Sequence, residues 1–153
     1  MKISAQEEYG IRCLLELGRA ASGRSLTISE ISRAEGLSKE YVAKLMRILR
    51  RGGLVRSVRG QAGGYALARP LAQITVSQAL AVLGGKLWDP AFCKKHPGRR
   101  RICSHSRDCR VRALWSRLQD SVDGMLGAVS LQDLLARSAS SGRAQAPVNA
   151  GIP

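Results

Sequence analysis

"TISEISRAEGLSKEYVAKLMRILRRGGLVRSVRGQAGGYALARP", residues 27–70, is the stretch that decides the fold. Thr27 followed by Glu30 is a capping box, in which a hydroxyl accepts the N–H three residues on and the carboxylate reaches back to the cap. The helix it opens runs from Ile28 to about Glu35 and stops at Gly36, the residue type that most readily turns left-handed at a helix end. After Leu37, Ser38 caps a second helix, KEYVAKLMRILRR, which ends at Gly52 and Gly53. Ile28, Ile31, Leu37, Val42, Leu45 and Leu49 would make the core between them. Helix, short glycine turn and helix form a helix-turn-helix pattern. Leu54 to Val58 then alternates as a strand, a glycine-rich tip comes next, and Tyr65 to Ala68 returns. A helix-turn-helix with a hairpin beside it is a winged helix.

Upstream, "SAQE" (Ser4, Glu7) is another capping box and opens a helix carrying Ile11, Leu14, Leu15 and Leu17 to about Ala21. Downstream, "TVSQ" (Thr75, Gln78) opens a further helix. Past the cysteines, Val111, Trp115, Leu118, Val122, Met125 and Val129 are spaced four, three, four, three, four, as in a dimer seam, with an ordinary amphipathic core helix as the alternative. "SLQD" (Ser130, Asp133) restarts a short helix. The expected fold is mostly α with a small β-hairpin wing: a winged helix-turn-helix domain plus a long C-terminal dimerisation helix. The expected divisions are a DNA-binding domain over 1–84, a cysteine-containing loop over 85–110, a dimerisation helix and short terminal helix over 109–137, and a disordered tail over 138–153.

The 153 residues carry 25 Lys and Arg against 11 Asp and Glu, a formal charge of +14. Such a surplus points to a polyanion, nucleic acid before anionic membrane. One Phe, two Trp and three Tyr are too few for a single-strand stacking platform. Glu7 and Glu8 stand where a signal peptide needs an apolar run, and no stretch approaches the length of a membrane span. The expected location is the cytoplasm, where stable disulfides are disfavoured.

In a winged helix the second helix of the motif enters the major groove and the wing reaches a flanking groove or phosphates. Ser38, Lys39, Glu40, Tyr41 and Lys44 lie in its first turns, within reach of base edges. Arg47, Arg50 and Arg51 are placed to hold phosphates, and Arg59 and Gln61 lie at the wing tip among glycines that admit a close backbone approach. A solvated helix face would account for the helix charges, but not for a hairpin with a basic tip.

"CKKHPGRRRICSHSRDC" (93–109) holds three of the four cysteines, and residues 93–117 contain nine Lys or Arg against one acid, Asp108. A field of that sign favours anionic ligand atoms, thiolates among them. The spacing Cys93-x9-Cys103-x5-Cys109 is not that of paired zinc knuckles, although His96 or His105 could complete a three-cysteine, one-histidine zinc site. Three thiolates and one further ligand also suit an iron–sulfur cluster, and a bare thiol switch is the third option. Cys13, within the apolar first helix, reads as a small buried hydrophobe.

The succession "EEYGIRCLLEL", "TISEISRAEGLSKEYVAKLMRILRRGGLV", "SVRGQAGGYALAR", "ITVSQALAVL", three cysteines and "ALW…SLQDLL" resembles the Rrf-two family, the IscR/NsrR-like winged-helix transcription regulators. The resemblance covers roughly residues 1 to 137, and "GGY" in the wing is its most specific motif. It implies a homodimer with crossing long helices, bound to a double-stranded DNA operator and gated by an iron–sulfur cluster near the subunit contact. By motif position, Cys93, Cys103 and Cys109 match the cluster cysteines. Some relatives take a fourth ligand from an acid before the first-helix tyrosine of the second subunit, here Glu8 before Tyr9; His105 is the rival in the loop. The wide gap from Cys93 to Cys103 and the basic loop depart from the family pattern, leaving open the nuclearity (2Fe–2S or 4Fe–4S) and the fourth ligand. The expected function is an iron, redox or nitric oxide-sensing regulator, a repressor, with a zinc-bound or metal-free thiol sensor as the alternative. Asp89, Asp108, Asp120, Asp123 and Asp133 are scattered rather than clustered, which argues against acid–base or two-metal enzyme chemistry and a small-molecule substrate.

Overall fold

The computed structural model describes residues 3–20, 23–60, 63–86, 88–89, 91–96 and 108–141. Helix α1 (Ala5–Arg19) begins at the Ser4–Glu7 capping box and ends two residues short of the expected Ala21. Helices α2 (Ile28–Glu35) and α3 (Lys39–Arg51) have the expected bounds. Thr27 and Glu30 form the reciprocal capping box, and Gly36 closes α2 with φ 67°. Strands β1 (Val55–Val58) and β2 (Gly64–Leu67) pair antiparallel, each one residue away from its expected bounds at one or both ends.

Leu26 is an addition that the alternating pattern could not supply. Its N–H and C=O each bond Tyr65 at 2.8 Å, adding a bridge to the outer side of β2. That contact explains the second glycine of "GGY". Gly64 has φ 151°, and a Cβ on it would lie 2.3 Å from the Leu26 carbonyl oxygen. A side chain there has neither a permitted backbone conformation nor space.

After a 3₁₀ turn at Leu71–Gln73, α4 (Val76–Leu83) starts at the Thr75–Gln78 capping box. A short helix α5 (Phe92–Lys95) lies within the segment expected to be loop. Helix α6 (Arg110–Gly127) comes next, and α7 (Leu131–Ser141) opens at Ser130, whose hydroxyl accepts the Asp133 N–H at 3.2 Å. Two expectations are corrected here. Val129 lies beyond α6 rather than on its seam, and its carbonyl accepts the Val76 N–H at 2.9 Å. Helix α7 continues to Ser141, past the expected tail boundary at 137, because nothing between Leu131 and Ser141 breaks a helix. Residues 142–153 lie outside the described residues.

The core is aliphatic. Leu14, Ile31, Val42, Leu45, Met46, Leu49, Leu54, Ile74 and Leu131 are fully buried, with Cys13 among them. Of the expected core set, Ile28 and Leu37 pack against this cluster from its partly buried rim. Leu131 brings α7 into the same interior as the winged helix. Among the described residues no helix is long and apolar enough to cross a membrane.

Candidate nucleic-acid interface and cysteine segment

Helix α3 has its apolar face in the core and its charges outside. Lys39, Glu40, Lys44, Arg47, Arg50 and Arg51 are all exposed. Ser38 is committed to capping, its hydroxyl accepting the Tyr41 N–H at 3.2 Å. Tyr41 is half-buried, its ring edge-on to Tyr9 of α1 at 6.1 Å, so of the first-turn candidates it is the one turned toward the protein. The Lys44 ammonium sits 6.0 Å from the centre of the Tyr41 ring. Arg50 donates to the Ser57 hydroxyl at 3.2 Å, which fixes a guanidinium between α3 and the wing. Arg59 is exposed next to Gly60, whose φ of 105° turns the hairpin and whose carbonyl accepts the Gly63 N–H at 2.9 Å. Gln61 lies outside the described residues. Helix, wing strand and wing tip thus carry cations on one continuous stretch of chain, a form suited to phosphate and groove contact.

Sequence reading missed the bracing behind this face. Arg12 lies over the Tyr9 ring at 5.3 Å, and its Nε donates to the Glu35 carboxylate at 2.7 Å. The only sequence signal is a Tyr and an Arg three apart on α1, which carries no partner information by itself.

Cys93 on α5 and Cys109 at the N-cap of α6 are free and half-buried, and Cys13 is free and buried. Burial, with the Glu35 carboxylate adding to it, pushes the Cys13 thiol up to about 12. It is a packing residue, inert in the way buried thiols are. Cys109 accepts the Arg112 N–H through Sγ at 3.3 Å. Cys103 and His105 lie outside the described residues; among those described, no three His, Cys, Asp or Glu side chains gather as a metal site. His96 is exposed and stacks on Phe92, ring centres 4.4 Å apart.

The segment before Cys93 is braced. Asp89 Oδ1 accepts the Ala91 N–H at 2.8 Å, and Oδ2 takes the Lys95 ammonium at 2.7 Å. The Lys95 bond, then the Ala91 amide, hold the Asp89 carboxyl below its usual range. The Trp88 N–H donates to Gln119 Oε1 on α6 at 2.9 Å. Glu8 is exposed in the first turn of α1, whereas Glu7 is consumed by the Ser4 cap.

Helix α6 turns much of its apolar surface outward, although Leu126 packs against the core and Val122 of the expected seam is half-buried. Its less exposed positions include Arg112, Ser116, Gln119 and Asp123, and Asp123 accepts the Ser77 hydroxyl of α4 at 3.3 Å. Val111, Leu114, Trp115, Leu118 and Met125 are exposed, Val111 by 59% and Met125 by 64%. An apolar stripe of that kind ordinarily faces a core or a partner.

A capped second motif helix, a hairpin wing and a basic outer face are the form of a winged-helix protein, and the family makes this one a transcription regulator. It belongs to the Rrf2 family: the family model, iron-dependent transcriptional regulator, matches residues 3–137. The chain is 33% identical over 135 residues to an HTH-type transcriptional regulator of Neisseria meningitidis, a match spanning 88% of each chain. Among solved structures it is similar to T. potens IscR, with TM-score 0.71 and 27% identity over 95% of this chain and 94% of that one. It is also similar to CymR, the global cysteine regulator of B. subtilis, with TM-score 0.66 and 28% identity over 90% and 98% of the two chains.

Proposed function

We propose that this protein is a cytoplasmic, homodimeric repressor whose hold on its operator is set by an iron–sulfur cluster on Cys93, Cys103 and Cys109. The observation that carries the reading is that Cys93 and Cys109 are both attached to α6, the helix whose apolar stripe lies open. Cys109 caps it, and the segment before Cys93 is bonded to Gln119 on it. The donor set fits the group: Cys93 and Cys109 are free, half-buried thiols, and Cys13 is closed off in the core. Three thiolates leave one iron position open for a weaker ligand. Glu8 of the partner subunit would fill it, since Glu7 is occupied at the cap and among the described residues no hydrogen bond engages the Glu8 side chain; His105 would be the competitor. A bound cluster supplies a centre that iron supply, oxidant or nitric oxide can change.

The chain's own residues convert such a change into a difference in DNA binding. The stripe Val111, Leu114, Trp115, Leu118 and Met125 pairs with its copy, setting the distance between the two α3 helices. Lys39, Glu40 and Lys44 read base edges, while Arg47, Arg50, Arg51, Arg59 and Gln61 hold phosphates. Movement of the cysteine segment against α6 reaches α3 through α4, which packs on both. The two states then differ in half-site spacing, a shift between populations rather than a new contact.

The test is protein purified without oxygen, examined by visible absorbance and metal content. Charge-transfer bands with bound iron are expected. Comparing Glu8→Ala with His105→Ala by the rate of bleaching in air then assigns the fourth ligand. A colourless protein, with or without zinc, rejects the cluster. It would favour the second reading, a zinc-bound or metal-free thiol sensor on the same cysteines, which the likeness to the cysteine regulator CymR supports.

A further inference from the structure

Gln119 stands apart in the molecule. Among the described residues it is the one polar residue buried as a whole, 7% exposed, on a helix otherwise polar only at partly or fully open positions. A buried amide is costly unless its hydrogen bonds are made. This one accepts the backbone N–H of Trp88, 31 residues away in sequence. Trp88 adjoins Asp89, and Asp89 organises the turn that leads into α5. Its backbone carbonyl accepts the Phe92 N–H at 2.8 Å, its Oδ1 the Ala91 N–H, and its Oδ2 the Lys95 ammonium. Cys93 lies inside the turn these bonds close. The path from α6 to Cys93 is therefore Gln119, Trp88, Asp89, α5. Cys109 needs no such path, because it is the N-cap of α6 itself.

We propose that Gln119 is the positioning residue of the cysteine site: its buried amide oxygen fixes the Trp88 backbone so that Cys93 is held in register with Cys109 on the same helix. The proposal rests on the cysteine-site reading above, but its geometric content concerns the protein without metal. Among the described residues Gln119 bonds the Trp88 N–H and makes no hydrogen bond to Cys93 or Cys109. It acts on Cys93 only through the Trp88–Asp89 turn, so its loss should affect the two cysteines unequally. A merely structural role in α6 would affect both, or neither.

The experiment compares Gln119→Met, which keeps the shape and removes the acceptor, with Gln119→Glu, which keeps an oxygen for the Trp88 N–H. Each full-length protein, stripped of metal and reduced, is treated with iodoacetamide, and alkylation is followed cysteine by cysteine by mass spectrometry. Amide hydrogen exchange over residues 88–95 is measured in parallel. In Gln119→Met, Cys93 alkylation and exchange over 88–95 should each rise about fivefold, the effect of losing one ordinary hydrogen bond on local opening. Cys109 should react at its unaltered rate, and Gln119→Glu should return Cys93 toward that of the unsubstituted protein. In anaerobic protein, Gln119→Met should also bleach faster in air. If Cys93 and Cys109 accelerate together, or neither changes, Gln119 does not position Cys93 and the proposal is overturned. A colourless unsubstituted protein would reject the cluster reading alone, because the alkylation comparison is made without metal.

Discussion

The ring of Tyr9 on α1 meets the ring of Tyr41 on α3 edge to face, their planes 86° apart. Arg12, held by Glu35 of α2, covers one ring, and Lys44 of the candidate reading face approaches the other. Glu8, the proposed ligand from across the dimer, is the residue before Tyr9. A displacement of the first turn of α1 would therefore be passed to the first turns of α3 through this pair. Tyr9→Leu should remove an aromatic pair worth about 0.5–1.5 kcal/mol and lower the melting temperature by about 1–6 °C. It should also narrow the difference in operator affinity between cluster-loaded and cluster-free protein, measured by fluorescence anisotropy. An unchanged difference would show that α1 is not on the route.

Gly64→Ala should be far more damaging than its size suggests. The added methyl would meet the Leu26 carbonyl at 2.3 Å, and relief means separating Leu26 from Tyr65. Losing both bonds of that bridge costs roughly 2 kcal/mol, before the strain of a positive φ on alanine. Urea unfolding would measure it, and a loss below about 0.5 kcal/mol, the range of an ordinary surface substitution, would mean that the bridge does not anchor the wing.

The helices were legible because their ends are local. Ser4, Thr27, Ser38 and Thr75 each accept an N–H three residues on, so residues near one another in sequence set the boundary. Leu26 was not legible, since its partner lies across the motif and a single bridging residue has no period. The apolar stripe of α6 was readable from spacing, but its end was not. Val129 continues the pattern while its backbone has already left the helix to pair with Val76. Gln119 was invisible for a related reason: one glutamine among polar residues looks solvated until Trp88 is placed beside it.

Base reading and phosphate holding should separate experimentally. Lys44→Ala should cost about 1–3 kcal/mol at a specific site and relax its sequence preference. Arg50→Ala should weaken all sequences alike and reduce the dependence of log affinity on log salt by about 1. Its guanidinium is already fixed on Ser57, so little order is gained on binding. Equal behaviour of the two variants would reject the division of roles.

The cysteines should divide three against one. Serine at Cys93, Cys103 or Cys109 should bleach the protein, whereas Cys13→Ser should keep its colour and cost about 1–3 kcal/mol, as a hydroxyl enters an apolar core. The Cys13 thiol also sets an alkaline limit. Its folded value, about 12, lies above the ordinary 9.0. Its contribution is therefore complete below pH 9 and is lost as pH rises from there toward 12. Stability measured by denaturation between those limits should decline less steeply with pH in Cys13→Ala. An identical pH dependence would contradict the burial argument.

The central claim is that the state of the cysteine site sets operator affinity, and one titration tests it most directly. Operator DNA, identified by selection from random duplexes, is titrated with a single anaerobic preparation before and after its cluster is removed by chelator. Salt and protein concentration are held fixed. Affinity should differ at least about tenfold between the two, within the ordinary range of coupling between sites. Cys103→Ser should behave like the stripped protein under both conditions. Equal affinities before and after removal, on protein whose visible bands have vanished, would contradict the account.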